Sequence, residues 1–302
     1  MPWSRFIDEN TAVGGPSRLQ LACVFGCTAA AAIAVQADAP LLPPMAVRFG
    51  FASEAVGTFI GALQGSYSLA QFCSSCFVGH LSDRIGRKPL LVAGTLAAGL
   101  GTAAFGTADT AGAALALRVA TGLCTHNLAV GKACLADLTV ESPPQQRAWH
   151  FALFGAVFSA TRAFSTALTG SLAGARWLSR ARPYCTAMAV AAVPIFLVSL
   201  LVACALVEPP RPQCTPAAPP PPPRRRAAGC GCLGDMRLGL RIVWREKSVR
   251  TAVACFALSM CANGGILVAL ISVLELPAAQ GGLGLGPEAA GASLFVFGIA
   301  AL

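Results

Sequence analysis

Uncharged blocks that are long enough to cross a bilayer alternate with short charged segments along most of this chain. A membrane-spanning helix needs about 20 apolar residues. The pattern predicts an all-α, polytopic membrane protein with seven spans and the first half of an eighth. These spans are predicted over residues 19–42, 55–78, 89–106, 111–136, 148–173, 184–207, 249–274 and, incompletely, 289–302.

Two proline positions set the expected end of the first span. The helix is expected to loosen before Pro40, because a proline removes a backbone donor. We predict that the span itself ends at the adjacent residues Pro43 and Pro44.

Composition supports the membrane interpretation. Hydrophobic residues make up 55% of the 302 residues and charged residues only 12%, whereas soluble domains carry about 25% charged residues. The net charge is +9, but its Lys and Arg residues lie between apolar blocks, which argues against a nucleic-acid partner.

The 13 cysteines do not indicate a metal site or a disulfide framework. Most of them lie in apolar blocks, where cysteine acts as a small hydrophobic residue. Cys73 and Cys76 form a C-x-x-C pair, but they lie in a predicted membrane helix without a second pair of ligands. We therefore predict neither a bound metal nor a cofactor.

The distribution of Lys and Arg predicts the orientation of the chain. With a cytoplasmic N-terminus, fifteen of these residues fall on the cytoplasmic side and four on the other side. Arg176, Arg180 and Arg182 run against this rule. The prediction is a multi-pass integral membrane protein of the plasma membrane or of an organelle.

The spans and the segments between them divide the chain into four parts. Residues 208–248 form a linker that contains PPPPPRRR at 219–226, and a proline run favours a solvated, extended conformation. Six spans, a basic linker and further spans are typical of one half of a duplicated transporter and the start of the other half. The parts are a cytoplasmic N-terminus at 1–18, a six-helix half at 19–207, the linker at 208–248 and the start of a second half at 249–302.

The segment GHLSDRIGRK, residues 79–88, changes abruptly from apolar to ionic sequence. Its pattern, G-x-L-x-D-R-x-G-R-K, resembles the signature loop of the major facilitator superfamily, which lies between spans two and three. A basic loop that only fixes topology is the alternative. The matching positions are Gly79, Leu81, Asp83, Arg84, Gly86, Arg87 and Lys88.

The resemblance implies a role for this loop of about ten residues. It would latch one helical half against the other and release when the carrier changes its open side. Asp83 would be the latch acid near a facing helix N-terminus, Arg84 and Arg87 would share its charge network, and Gly79 would be a helix packing site.

Other stretches resemble the same superfamily. The segment RVATG at 118–122 resembles a second motif, whose intramembrane arginine is linked to proton coupling in antiporters, although Thr121 stands where glutamine is usual. The stretches 127–141 and 274–291 resemble a branch with tetracycline-efflux-type and zinc-induced-facilitator-like carriers. Span five keeps only Gly170 of the antiporter pattern G-P-x-x-G-G, which favours transport in general over antiport in particular.

Ionisable residues inside predicted spans are candidates for a solute or proton site, because each costs about 2.5–3.5 kcal/mol at the centre of a membrane helix. The spacing of Arg118, Gly122 and His126 predicts that all three face similar sides of span four. Arg118 would either bind an anionic group or lower the pKa of a nearby acid, or it is a snorkelling arginine near the outer rim. His126 is either a group that titrates near neutral pH or a histidine bonded to a backbone carbonyl.

Three further residues are candidates for the same site. Asp38 is either a proton or cation site or a residue at the outer helix end. Arg162 is expected to pair with a carboxylate across the bundle. Glu275 is expected to act as an outer gate or cap, with a buried base as the alternative.

These features predict secondary active transport of a small organic solute, such as a drug-like compound or a metal chelate, and not an enzyme. The resemblance implies alternating access driven by a proton gradient, with the solute, protons and the lipid bilayer as partners. Such a carrier needs about twelve spans, so a missing C-terminal half is expected to be required for activity. The alternatives are a truncated, transport-inactive membrane protein that acts as a partner or receptor, an incomplete gene model, and a channel-like pore.

Overall fold

A computed structural model describes residues 17–174, 183–208, 241, 244–275, 277 and 282–300 of the protein. Within these ranges the chain forms ten α-helices and one short 3-10 helix at Ala39–Leu41, and it contains no strand. The α-helices are α1 Arg18–Gln36, α2 Leu42–Arg48, α3 Ser53–Ile85, α4 Arg87–Phe105, α5 Ala111–Cys124, α6 Asn127–Leu138, α7 Pro144–Gly174, α8 Pro183–Ala205, α9 Lys247–Glu275 and α10 Pro287–Ala300.

Five segments of the described chain are long and apolar enough to cross a membrane, and they match the predicted spans one, three, four, five and six. The predicted second span lies in α3, which has 33 residues but carries several glutamines and serines along its length. The prediction of an all-α polytopic membrane protein is confirmed. The five segments are Arg18–Arg48, Arg87–Phe105, Ala111–Leu138, Pro144–Ala173 and Tyr184–Ala205.

The first span bends earlier than the adjacent prolines. Helix α1 ends at Gln36, which confirms the loosening expected before Pro40. The predicted break at Pro43 and Pro44 is wrong, because both residues lie in the first turn of α2. Proline fits there since the first backbone N–H groups of a helix have no acceptor within the helix.

The fourth predicted span is two helices rather than one. Helix α5 ends at Cys124 and α6 begins at Asn127, with Thr125 in an extended conformation. The Nε2 atom of Gln71 donates to the carbonyl oxygen of Thr125 at 2.5 Å, and this bond satisfies a backbone group that the break exposes. The prediction of an uninterrupted helix from 111 to 136 is therefore wrong.

The bundle has two apolar cores with small side chains between them. We call the end where α3 meets α4 the motif end, and the opposite end, where α4 turns into α5, the far end. Alanines such as Ala30, Ala34 and Ala98 pack between the two cores. The far-end core includes Leu41, Leu42, Met45, Ile60, Phe105 and Met188, and the motif-end core includes Cys23, Cys27, Leu91, Cys134, Leu135 and Leu206.

Three cysteines belong to the motif-end core, as expected for cysteines that act as small hydrophobic residues. Cys23, Cys27 and Cys134 are free and fully buried. Their side chains fill space between α1 and α6. Because the interior is closely packed there, a larger side chain would displace its neighbours.

Helices α7 and α10 touch along their backbones. A Cβ atom added to Gly170 would lie 3.0 Å from Cα of Gly291, and one added to Gly291 would lie 2.6 Å from the carbonyl oxygen of Thr166. Small residues permit such close approach of membrane helices. This contact joins a helix of the predicted first half to a helix of the predicted second half.

Candidate functional site

An acid and a base form an ion pair in the protein interior. Asp38 lies in the turn that follows α1 and is fully buried, while Arg118 lies on α5 and is 4% exposed. Nη2 of Arg118 contacts Oδ2 of Asp38. Among the described residues, neither Oδ1 of Asp38 nor Nε of Arg118 has a hydrogen-bond partner.

The surroundings of this pair are aromatic and apolar. The guanidinium carbon of Arg118 lies 4.6 Å from the ring centroid of Phe105 and 5.7 Å from that of Tyr67. Cation–π contacts of this kind contribute about 2 kcal/mol when the cation is removed from water. The two rings therefore contact the guanidinium of Arg118. Among the described residues, its one acidic partner is Asp38.

The position of Asp38 shows that its side chain is not at the protein surface, and its role as a proton or cation site stays a prediction. The side chain lies inside the protein against Arg118 and not at a solvent-facing helix end. Gly122, one turn after Arg118, brings α5 close to α3: an added Cβ atom there would lie 2.5 Å from the carbonyl oxygen of Tyr67.

A row of polar side chains on α3 continues from this ion pair. Tyr67, Gln71 and Ser74 lie at positions i, i+4 and i+7, which share one helix face. The Tyr67 hydroxyl lies 3.0 Å from Oγ1 of Thr125, and the hydroxyl of Ser74 lies 2.8 Å from Nε2 of His126. None of these three residues is among the site residues predicted from the sequence, although their spacing is the signal that identifies a shared helix face.

The helix break changes the role expected for His126. The residue precedes α6 and is not part of α5, so the predicted helix face shared with Arg118 and Gly122 is wrong. It lines a cavity of about 280 Å³ between α3 and α6. The cavity is lined by Ser68, Gln71, Phe72, Ser75, His126, Leu128 and Ala129.

Arg162 lies near the middle of α7 and is half-buried. Its Nη2 atom donates to Oε1 of Gln36 at 3.0 Å, and its guanidinium carbon lies 5.6 Å from the ring centroid of Phe158. Among the described residues no carboxylate pairs with it, so the expected partner across the bundle is replaced by an amide.

The signature segment is mostly helical. Helix α3 continues through Gly79, Leu81 and Arg84 to Ile85, and the link to α4 is the single residue Gly86, with φ of +117°. The predicted loop of about ten residues is therefore wrong. No helix breaker stands between Gly79 and Gly86, and only glycine adopts this φ without strain.

Arg87 is the centre of a charged network at the motif end. Its Nε donates to Asp137 at 3.1 Å, and its Nη1 donates to Asp83 at 2.7 Å and to the hydroxyl of Ser82 at 2.7 Å. The Asp83 side chain is 69% exposed and the Asp137 side chain 25% exposed. The planar guanidinium suits this branched arrangement, whereas lysine presents a single charged atom.

Glu208, which follows the end of α8, contacts the same network at the start of α4. Its carboxylate accepts from the backbone N–H groups of Arg87 at 2.5 Å and Lys88 at 2.9 Å. A carboxylate at a helix N-terminus satisfies orphan donors and interacts favourably with the helix dipole. The sequence predicted an acid at a helix N-terminus, but the described residues place Glu208 there and Asp83 against Arg87.

Two of the predicted residues have few described neighbours. A Cβ atom added to Gly79 would meet no atom within 4 Å among the described residues, so its role in packing stays a prediction. Glu275 ends α9, and its side chain lies outside the described part of the chain.

Long apolar helices around a buried ion pair define a multi-pass integral membrane protein. The sequence profile of the Major Facilitator Superfamily matches residues 24–302. The chain belongs to the major facilitator superfamily.

Several characterised relatives share part of this sequence. The class C tetracycline resistance protein of Escherichia coli is 32% identical over 138 residues, which cover 46% of this chain and 34% of the relative. The major facilitator superfamily multidrug transporter mfsB of Aspergillus fumigatus is 30% identical over 94 residues, or 31% and 16% of the two chains. Major facilitator superfamily domain-containing protein 10 of Mus musculus is 34% identical over 101 residues, or 33% and 22%. The matches thus span about a third or less of each relative.

Proposed function

We propose that this protein is a secondary active transporter that moves a small organic solute across a membrane in exchange with, or together with, protons. The observation that carries the proposal is the ion pair between Asp38 and Arg118, buried between α1 and α5. Membership of the superfamily and the names of its tetracycline-resistance and multidrug relatives support a drug-like organic solute.

The chemistry of the pair supports coupling to protons. A buried carboxylate is stable as an anion only while a cation or hydrogen bonds compensate its charge. Protonation of Asp38 would therefore release Arg118 from its partner, and loss of that proton would restore the pair. Such an exchange gives the bundle two states that differ in proton content, and coupling to protons requires that these states favour different arrangements of the helices.

Charged residues at the motif end support a proposed orientation of the chain and a proposed role for the network around Arg87. The positive charges there favour the cytoplasmic surface, and we therefore infer a cytoplasmic N-terminus. Arg87 joins α3, α4 and α6 through Asp83 and Asp137, and Glu208 joins α8 to them. We infer that this network stabilises one arrangement of the helices over the other.

Flux measurements in proteoliposomes test the proposed transport. We expect a panel of radiolabelled drug-like compounds to include at least one whose uptake rises at least tenfold when a pH gradient is imposed; a factor of ten corresponds to about 1.4 kcal/mol of driving force. Protein-free liposomes are the control. Equal uptake with and without the gradient would contradict proton coupling, and no uptake of any compound would favour a transport-inactive protein.

A further inference from the structure

The described interior of the bundle holds more positive than negative charge. Outside the motif end, the buried or half-buried Asp, Glu, Lys and Arg side chains of the described residues are Asp38, Arg118 and Arg162. Asp38 and Arg118 neutralise each other, and Arg162 contacts the uncharged amide of Gln36. One positive charge is therefore uncompensated by any described residue.

The position of Arg162 makes an uncompensated charge unusual. It lies near the middle of α7, where a charged side chain is costly and is normally paired with an acid or faces a polar cavity. Its Nε atom is buried and has no hydrogen-bond partner among the described residues. The oxygen of Gln36 and the ring of Phe158 occupy only part of its surroundings.

We propose that Arg162 binds an anionic group of the transported solute, such as a carboxylate or a phosphonate. A guanidinium presents two parallel N–H donors to such a group, and this geometry makes the bond both strong and specific. The proposal rests on the proposed transport function, because it assigns the charge of the solute and not the existence of transport.

The placement of Gln36 connects this site with the ion pair. Gln36 ends α1, and Asp38 follows two residues later in the turn. Arg162 therefore contacts a side chain that is two residues from the carboxylate that pairs with Arg118.

Thermal unfolding of the full chain in lipid nanodiscs tests the proposal without any pH gradient. The probes share one ring scaffold and differ in charge: benzoate and phenylphosphonate are anions, benzylammonium is a cation and benzyl alcohol is neutral. We expect the two anions, at millimolar concentration, to raise the Tm by about 2–4 °C. We expect the cation and the alcohol to leave it unchanged.

The variant Arg162→Gln provides the decisive comparison. It keeps a polar side chain at this position but removes the charge, so we expect its Tm not to respond to the anions. Arg147→Gln removes the same charge at an exposed position of the same helix and should respond to anions like the unaltered protein.

Two results would overturn the proposal. No rise in the Tm of the unaltered protein with either anion would mean that Arg162 does not bind an anionic group of this kind. An anion response that survives in Arg162→Gln would place the anion elsewhere. Either result can occur while flux remains driven by protons, so failure here is distinguishable from failure of the proposed transport.

Discussion

Substitution of Arg118 by Ala is expected to abolish proton-driven flux and to lower the free energy of unfolding by about 3–5 kcal/mol, the usual cost of leaving one member of a buried ion pair alone. Asp38 is fully buried and has no described partner except Arg118. Without the arginine its carboxylate must bind a proton permanently or remain charged in an apolar environment, and neither state supports a cycle of proton binding and release.

The double variant separates stability from function. When Asp38→Asn is combined with Arg118→Ala, no buried acid remains unpaired. We expect unfolding in detergent to show that most of the lost stability returns, whereas flux in proteoliposomes stays absent. Normal proton-driven flux in Arg118→Ala would remove the ion pair from the mechanism.

Substitution of Arg87 by Ala is expected to reduce flux by about ten- to a hundredfold while the protein still inserts into the membrane. The change removes side-chain bonds to Asp83, Asp137 and Ser82. A hydrogen bond to a charged group contributes about 1.5–3 kcal/mol, and loss of that energy from one arrangement of the helices shifts the equilibrium by the stated factor. Initial flux rates at equal amounts of inserted protein measure the effect.

Two variants show whether the geometry of Arg87 or only its charge matters. Arg87→Lys keeps the charge but not the branched donors, so we expect flux between those of the unaltered protein and Arg87→Ala. Arg147→Ala removes an exposed arginine at the same end of the bundle and should retain full flux. Equal flux in Arg87→Ala and Arg147→Ala would argue against a role for the network.

The helical membrane fold could be predicted from the sequence because hydropathy reports burial in lipid directly. Length and apolar composition identified the spans around α1, α4, α7 and α8. The signature segment at Gly79–Lys88 pointed to the superfamily because its charged residues and glycines follow a fixed order.

Features that depend on contacts between distant residues could not be predicted in the same way. The break at Thr125 relies on Gln71, which lies 54 positions earlier. Glu208 caps α4 from 120 residues away, and nothing in its local sequence indicates that role. Hydropathy likewise identified Asp38 as unusual but not Arg118 as its partner.

The prediction that Pro43 and Pro44 end a helix was wrong for a local reason. Pro43 and Pro44 were expected to end a helix, yet they begin one, because a proline is excluded from the interior of a helix but not from its first turn. The same two residues are compatible with either position, so sequence alone did not decide between them.

The most direct test of the central claim is the movement of protons when solute is added. Proteoliposomes that contain the protein and the pH-sensitive dye pyranine are mixed with a transported compound, and the internal pH is followed by fluorescence. Our account predicts a pH change with the unaltered protein and none with Asp38→Asn, even where that variant still binds the compound. An equal pH change in both proteins would contradict it.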